Sequence, residues 1–335
     1  MILILTEDAD PHADHVEAKL RQRGAELFRF DPGRFPTRAS VSVSYAGDGL
    51  FGVALESDGT TVDLTDLTAV WYRRPQPPVP HDDVTDPATR TYLAEECKTV
   101  MNDLWHALSC LVVPAPPAVI RRAELKMAQL ATAGRLGFEL PPTLVTTCPR
   151  AFRAFYRQHG GNVISKLPSS TLYRLTGATF NRYTLVVSTR DVGHARALRR
   201  GPVIFQAYVP KRLELRVTVV GSRIFAAEIH SQHTRRTRHD WRRYDHYQTP
   251  IRRHSLPDEV ARRCHRLVAE LGLCYGAIDL VLTPDGRYVF LEINPNGQYL
   301  WIEEATGLPI SEALCDLLID RAGRTADQAP VGGSS

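Results

Sequence analysis

Two carboxylates and an amide lie close together near the C-terminal end of the chain, in Leu291-Glu292-Ile293-Asn294-Pro295-Asn296-Gly297 and at Asp279 just before it. The patterns over 276–283 and 287–294 predict two strands, and Thr283-Pro284-Asp285-Gly286 between them is a turn sequence. Side chains at i and i+2 of a strand share a face. Glu292 and Asn294 are therefore expected on one side, with Leu291 and Ile293 on the other. The hairpin folds Asp279 back beside the first pair. Hard oxygen donors at that density suit Mg²⁺, which keeps several waters and takes its other ligands from substrate phosphates. The hairpin end is expected to be exposed, so these carboxylates should matter little to stability. An acidic rim on a hairpin is the plainer reading, but it leaves Asn-Pro-Asn-Gly directly after the Glu without a reason.

The elements that must position this group read as an α/β chain. Ile2 to Leu5 is a continuous apolar run, Ala13, Val16 and Leu20 keep helical spacing, Gly24 closes that helix, and 25–30 is extended again. Residues 41–45 and 53–55 alternate as a hairpin. Gly47 to Gly52 between them matches Gly-x-Gly-x-x-Gly, but a dinucleotide fingerprint needs a helix where Val53 to Leu55 reads as a strand. A strand at 70–73, a helix at 88–109 and a strand at 111–113 lead to a linker with Pro114, Pro116 and Pro117. One helix is expected over 122–136, with Leu125, Ala128 and Ala131 on one face. Strands follow at 143–146 and 162–167, with a helix at 150–158. A polar, turn-rich stretch at 168–182 has no period. Further strands fall at 183–188, 203–209, 214–220 and 223–230, and helices at 258–271 and 309–321.

This gives an N-terminal α/β domain over 1–115, a central domain over 116–200, and a C-terminal domain over 201–322 with an insert at 230–254. The tail, 323–335, reads as disordered. A chain of 335 residues exceeds what one core usually organises, in keeping with that division. The net charge of +4 is mild, but it is unevenly placed. Between 230 and 254 seven arginines stand against Asp240 and Asp245, together with five of the twelve histidines. The apolar start is too short for a signal peptide, and no apolar run approaches the ~20 residues of a membrane span, so a cytoplasmic protein is expected. The six cysteines form no Cys-x-x-Cys pair and no zinc spacing with histidine, so reduced, scattered thiols are expected.

Asp279 followed by Glu292-Ile293-Asn294-Pro295 resembles the metal-binding end of the ATP-grasp superfamily. The resemblance extends residue by residue. Lys126 stands where that family has a phosphate-contacting lysine, and Lys166 where it has the second ATP lysine on a strand. Gln206-Ala207-Tyr208-Val209 resembles the hinge against adenine: Gln206 takes the amino group, the backbone reads the ring edge, and Tyr208 and Val209 are among the nucleotide contacts. Glu214 corresponds to the ribose-hydroxyl acceptor, and Arg216 to the arginine that meets the transferred phosphoryl group. Leu291 joins the nucleotide contacts. The resemblance thus implies ATP and Mg²⁺ as cofactors, Arg216 and Lys166 as the catalytic pair, and Asp279, Glu292 and Asn294 as metal ligands. Each residue alone is weak, since a lysine on a helix is usually solvated and Glu-x-Arg in a strand is usually an ion pair. Their joint order over 118–322 is specific. One departure is the loop from Lys166 to Tyr183. It normally closes over the phosphates and is glycine-rich, but here it holds only Gly177.

Three further segments resemble the ribosomal-peptide maturases that make microviridin-like ω-ester and ω-amide peptides. They are Asn294 to Glu303, Ser231-Gln232 with Asp240-Trp241-Arg242, and Trp71-Tyr72-Arg73-Arg74-Pro75. The resemblance implies a precursor peptide with leader and core as partner. Arg73, Arg74, Arg235, Arg236, Arg238, Asp240, Trp241 and Arg242 are its expected contacts, because guanidinium forks match carboxylates bidentately. A solvated Arg-rich loop explains the same composition, and nucleic-acid binding is disfavoured because no motif for it accompanies the arginines. The alternatives are an ATP-grasp ligase for small amino acids or a protein C-terminus, and a nucleotide-binding regulator without turnover. The oligomeric state stays open, a homo-oligomer included.

Overall fold

The first strand is buried along its whole length in the computed structural model, which describes residues 1–47, 51–167, 173–175, 178–180, 184–233, 237, 241 and 249–326 (173–175, 178–180 and 321–326 as backbone only). β1 (Ile2–Thr6) is followed by α1 (Pro11–Gln22), β2 (Leu27–Phe30), β3 (Ala39–Tyr45), β4 (Phe51–Ser57), β5 (Thr60–Asp63), β6 (Ala69–Arg74), α2 (Pro87–Ala107) and β7 (Leu111–Val113). A parallel sheet runs in the order β2-β1-β6-β7. Ile2, Ile4 and Trp71 enter one core, and Leu3, Leu5 and Val70 the core on the opposite face. That two-sided burial is why β1 is apolar without alternation. β3, β4 and β5 form a separate antiparallel sheet in which Tyr45 pairs with Phe51, so the glycines of 47–52 join two strands as expected. Residues 48–50 themselves lie outside the described residues.

The single helix expected over 122–136 is two helices, α3 (Pro117–Ala123) and α4 (Lys126–Arg135), with extended backbone at Leu125 between them. The break resets the helical phase. Leu125 and Ala131 are exposed, and the buried face of α4 is Gln129, Thr132 and Ala133. β8 (Thr143–Thr146), α5 (Pro149–Gln158), β9 (Val163–Lys166), β10 (Tyr173–Leu175), β11 (Ala178–Phe180), β12 (Leu185–Val186), α6 (Thr189–Gly193) and β13 (Val203–Ala207) follow. The middle sheet runs β12-β9-β13-β8, antiparallel throughout. β13 is therefore hydrogen-bonded into the middle sheet rather than beginning the last one. The stretch read as lacking a period contains the β10–β11 hairpin.

The last sheet is built from β14 (Leu213–Val220), β15 (Arg223–Ile229), β16 (Ile251–Arg253), then, after α7 (Asp258–Glu270), β17 (Tyr275–Leu282) and β18 (Tyr288–Asn294), in the order β16-β15-β14-β17-β18. Leu215, Val217, Ile278, Leu280, Phe290 and Ile293 pack with Val260, Cys264 and Leu267 of α7. α8 (Leu300–Thr306) and α9 (Ile310–Ala326) close the fold. Leu314 and Leu318 of α9 join Val220 and Tyr275 to Ile4, Val16 and Leu20, so the first and last sheets share one core. Each fully buried Leu or Ile there contributes about 1.5–3 kcal/mol. None of the six cysteines, all of them among the described residues, is in a disulfide. Among the described residues no helix is long and apolar enough to cross a membrane.

Candidate active site

The face of the last sheet away from α7 carries the polar residues. In the register Glu214 pairs with Val281, Arg216 with Asp279, Asp279 with Glu292, and Ala277 with Asn294. Directly paired residues share a face. Glu214, Arg216, Asp279, Glu292 and Asn294 therefore stand together, while their sequence neighbours Leu215, Val217, Leu280 and Ile293 supply the core. Leu291 departs from the expected alternation. The ladder steps from Asp279–Glu292 to Leu280–Phe290, leaving Leu291 as the extra residue of a β-bulge. A bulge re-aims the side chains beside it, and Leu291 lines the same cleft as Glu292 rather than the core.

Each acidic group faces a cation. Lys126 Nζ, at the start of α4, donates to Glu292 Oε2 at 2.5 Å. Arg216 Nη1 donates to Asp279 Oδ1 at 2.9 Å, and its Nη2 donates to the carbonyl of Gln298 at 3.0 Å. Asp279 and Arg216 are 9% and 5% exposed, so the expectation of freely exposed carboxylates does not hold for Asp279. Between Glu292 and Asn294 the backbone is held from α4. Gln129 Nε2 donates to Ile293 O at 2.8 Å, and Gln129 Oε1 accepts from Ile293 N at 3.2 Å. Sequence reasoning passed over this glutamine because a polar residue on the buried face of α4 carries no apolar period. After Asn294 the chain turns back, Gly297 N donating to Asn294 O. A Cβ on Gly297 would lie 2.3 Å from Ala277 Cβ, so only glycine lets the loop cross the strand there. Among the described residues no cluster of three or more His, Cys, Asp or Glu side chains could hold a metal alone. Two carboxylates and an amide fit a hard cation that phosphates also hold.

The middle sheet forms the opposite wall. Lys166 ends β9 and pairs with Ile204 of β13. Gln206 on the same strand pairs with Ile164. A cleft of about 600 Å³, counting its open mouth, lies between the walls. Of the sequence-nominated residues, Lys166, Gln206, Tyr208, Val209, Glu214, Trp241, Asp279, Leu291 and Glu292 line it. Lys126 and Arg216 reach it through their ion pairs. Thr184, Lys211 and Val281 also line it and were not foreseen. Lys211 Nζ is 3.1 Å from Glu214 Oε1. Burial pushes the Glu214 carboxyl up, against the charge of Lys211 and the Ser231 hydroxyl. The Lys-x-x-Glu spacing was the available signal for this pair.

The amide of Gln206 has a determined orientation. The Thr143 hydroxyl donates to Pro141 O at 2.7 Å, so its oxygen accepts from Gln206 Nε2 at 3.0 Å. Oε1 is thereby left buried, with no partner among the described residues, on a residue that lines the cleft. A buried acceptor in that condition is costly until a donor arrives.

The residues expected at a peptide divide. Arg73 is 3% exposed. Its Nη1 donates to Asn296 O at 2.9 Å and its Nε lies 3.2 Å from Asp10, so it holds the loop after Asn294 and presents nothing at the surface. Arg74 is exposed and faces the Gln298 side-chain oxygen. Trp241 packs on Trp301 with ring centroids 4.6 Å apart, at the cleft. Arg253, counted in the basic segment, donates to Thr306 O and Gly307 O and caps α8. Arg235, Arg236, Arg238, Asp240 and Arg242 lie outside the described residues.

Comparisons with known proteins agree with this layout. Residues 1–119 match the family model described as the MvdD pre-ATP grasp domain. No curated protein matches the chain in sequence. Among solved structures, macrocyclase MdnC of Microcystis aeruginosa bound with precursor peptide MdnA is 31% identical, with a TM-score of 0.84 over 95% of this chain and 99% of that one. Macrocyclase MdnB of the same organism is 34% identical, with a TM-score of 0.79 over 95% and 98%. A RiPP-associated ATP-grasp ligase of Chryseobacterium gregarium, in complex with ADP and a leader and core peptide, is 29% identical, with a TM-score of 0.87 over 98% and 97%. At this identity and near-complete mutual coverage, the chain belongs to the family of RiPP ATP-grasp macrocyclases.

Proposed function

We propose that this chain uses ATP and Mg²⁺ to activate an Asp or Glu side chain of a ribosomal precursor peptide and joins it to a Thr or Ser hydroxyl, or a Lys amine, of the same peptide. The observation that carries the reading is the cleft. Lys166 and the Gln206 Oε1 acceptor lie on one wall, and Glu214, Asp279 and Glu292 face them from the other. In this reading Gln206 accepts from the adenine amino group, Tyr208 and Val209 lie along the ring, and Glu214 meets the ribose hydroxyls. Lys126 and Lys166 neutralise the phosphates, and Arg216 meets the transferred group. Asp279, Glu292 and Asn294 would hold Mg²⁺, which screens the charge that develops on the phosphates during transfer.

A carboxylate oxygen of the peptide attacks the γ-phosphorus, and the bond to ADP breaks. The nucleophile then attacks the acyl carbon and loses its proton, and phosphate leaves. The product is a microviridin-like ω-ester or ω-amide. The chain's own contribution is positioning and charge, which suits phosphoryl transfer. Arg74 and Trp241, with the arginines that the sequence carries over 230–254, would meet an acidic peptide, and a cytoplasmic setting suits ATP-dependent work on a newly made peptide. The domains in this reading are 1–115, a central domain extended to include β13, and the remainder to 322.

The test is incubation with ATP, Mg²⁺ and an acidic, Thr-rich precursor peptide, sought among small open reading frames beside the gene. ADP release with loss of one water mass per crosslink is expected. ADP release driven by free amino acids and not by the peptide would replace this reading with a small-substrate ligase.

A further inference from the structure

The loop that follows Asn294 is held at five successive backbone groups. Asn296 O accepts from Arg73 Nη1 at 2.9 Å, Gly297 O from the Tyr275 hydroxyl at 2.6 Å, and Gln298 O from Arg216 Nη2 at 3.0 Å. The amides of Tyr299 and Leu300 both donate to His12 Nε2 at 3.2 Å. Tyr275 and Arg216 belong to the sheet that carries the site. Arg73 and His12 come from the other end of the chain, β6 and the first turn of α1.

Asp10 joins these two. It caps α1, accepting from His12 N at 3.0 Å. Its Oδ2 lies 3.2 Å from Arg73 Nε and accepts from the Thr6 hydroxyl at 2.8 Å. Asp10, His12 and Arg73 are 2%, 7% and 3% exposed. A buried guanidinium is expensive to desolvate, and well-packed apolar residues in its place are often neutral or stabilising. Packing alone therefore gives no reason for Arg73, whereas the carbonyl it holds lies two residues beyond Asn294. His12 can accept two N–H groups at Nε2 only when that nitrogen carries no proton. Burial lowers the pKa of this imidazole, against the pull of Asp10 and with the help of Arg73.

We propose that Asp10, His12 and Arg73 are positioning residues for the reaction: the N-terminal domain holds the 296–300 loop and so fixes Glu292 and Asn294 in the orientation a metal–nucleotide complex requires. This rests on the reading of Glu292 and Asn294 as metal ligands. Outer groups that orient ligands without touching the metal are worth about 10–100-fold in metal affinity.

The experiment is a Mn²⁺ titration of the full chain with ADP, read by the EPR signal of free Mn²⁺, alongside ADP binding in EDTA. Asp10→Asn with Arg73→Met removes both charges together. The Mn²⁺ concentration for half-saturation is expected to rise about 10-fold or more, with metal-free ADP affinity unchanged. Arg73→Lys is expected to recover part of the loss, because one ammonium reaches Asp10 or the Asn296 carbonyl but lacks the fork for both. His12→Leu removes the acceptor for the two amides, together with the ring's contacts to Asp10 and Tyr299, but keeps the charges of Asp10 and Arg73. It carries the same expectation, so a double variant that fails to fold leaves the proposal testable. Unchanged Mn²⁺ affinity in His12→Leu and in the folded double variant overturns it. So does a parallel fall in metal-free ADP affinity, which marks a general loss of structure. Glu292→Gln is the control. If the wild type shows no Mn²⁺ binding that this variant removes, the metal-site reading falls and this proposal falls with it. If it does and the positioning variants match the wild type, only this proposal falls.

Discussion

Arg216 and Asp279 stand directly opposite each other on β14 and β17 and form a buried ion pair, Nη1 to Oδ1 at 2.9 Å. In the proposed reading one residue meets the metal and the other the phosphoryl group, so this pair would tie the two roles together. The pair also separates Asp279 from Glu292, whose partner Lys126 is 28% exposed.

Asp279→Ala and Glu292→Gln should therefore differ in stability while sharing a loss of turnover. Removing Asp279 leaves a buried guanidinium without its counter-charge, which costs about 3–5 kcal/mol. Gln at 292 still accepts from Lys126, and a partly exposed pair contributes no more than about 1 kcal/mol. Denaturation by guanidinium should show a lower midpoint at unchanged slope for Asp279→Ala only. Equal midpoints would mean that the Arg216–Asp279 pair is not buried in solution.

Gly297→Ala should damage the site through backbone displacement. The new Cβ would meet Ala277 Cβ at 2.3 Å and Arg216 Nη2 at 3.0 Å. The strand cannot retreat, so the loop lifts and takes Gln298 O away from Arg216. A displacement near 1 Å at a catalytic group costs about 100-fold in rate. Ala277→Gly on the same chain removes the opposing Cβ and should recover most of the ADP-release rate. A double variant as slow as the single one would refute the steric explanation.

The Asp279–Glu292–Asn294 face was legible because strand alternation depends on local spacing alone, and the turn at 283–286 brings its two strands together. Alternation put Leu291 on the wrong face, because the bulge that re-aims it is a property of the pairing with β17 and leaves no trace in β18 by itself; only the resemblance named it among the nucleotide contacts. The break between α3 and α4 was missed for a similar reason. Leu125 and Ala131 keep a helical period with apolar residues, but the true inner face is fixed by Gln129 bonding the backbone of β18, 164 positions away. Arg73 stood out as part of a motif. Its destination, the carbonyl of Asn296 across 223 positions, follows only from the shared core of the first and last sheets.

Stability should fall on acidification partly through His12. Its folded pKa lies below the ordinary value, chiefly by burial. Above about pH 6.5 both folded and unfolded states hold it neutral, and its contribution is complete. As the pH drops further the unfolded state takes up the proton first, so stability declines until the folded pKa is reached. One proton carries about 1.4 kcal/mol per pH unit. His12→Gln keeps an acceptor but does not titrate, so its stability should fall less steeply just below about pH 6.5 than that of the wild type. Identical slopes for the two proteins in urea titrations would place His12 among ordinary histidines.

Base selection should depend on Gln206 and also on Thr143, which touches it from outside the cleft. The Thr143 hydroxyl is committed to Pro141 O, so it can only accept from Gln206 Nε2, and Oε1 is the group offered to a base. The amino group of adenine would satisfy that oxygen. The carbonyl at the same position of guanine would set two acceptors against each other. Gln206→Ala should weaken an ATP analogue by about 0.5–1.5 kcal/mol and narrow its advantage over the GTP analogue. Thr143→Val keeps the branched shape but deletes the hydroxyl. The amide is then free to turn and present Nε2, which suits guanine, so this variant should lose selectivity with Gln206 still in place. Calorimetry with non-hydrolysable ATP and GTP analogues measures both ratios, each tenfold change corresponding to about 1.4 kcal/mol. If Gln206→Ala alone loses selectivity, Thr143 does not set the amide. If neither variant does, the base is read by backbone groups of 207–209 and the role given to Gln206 is wrong.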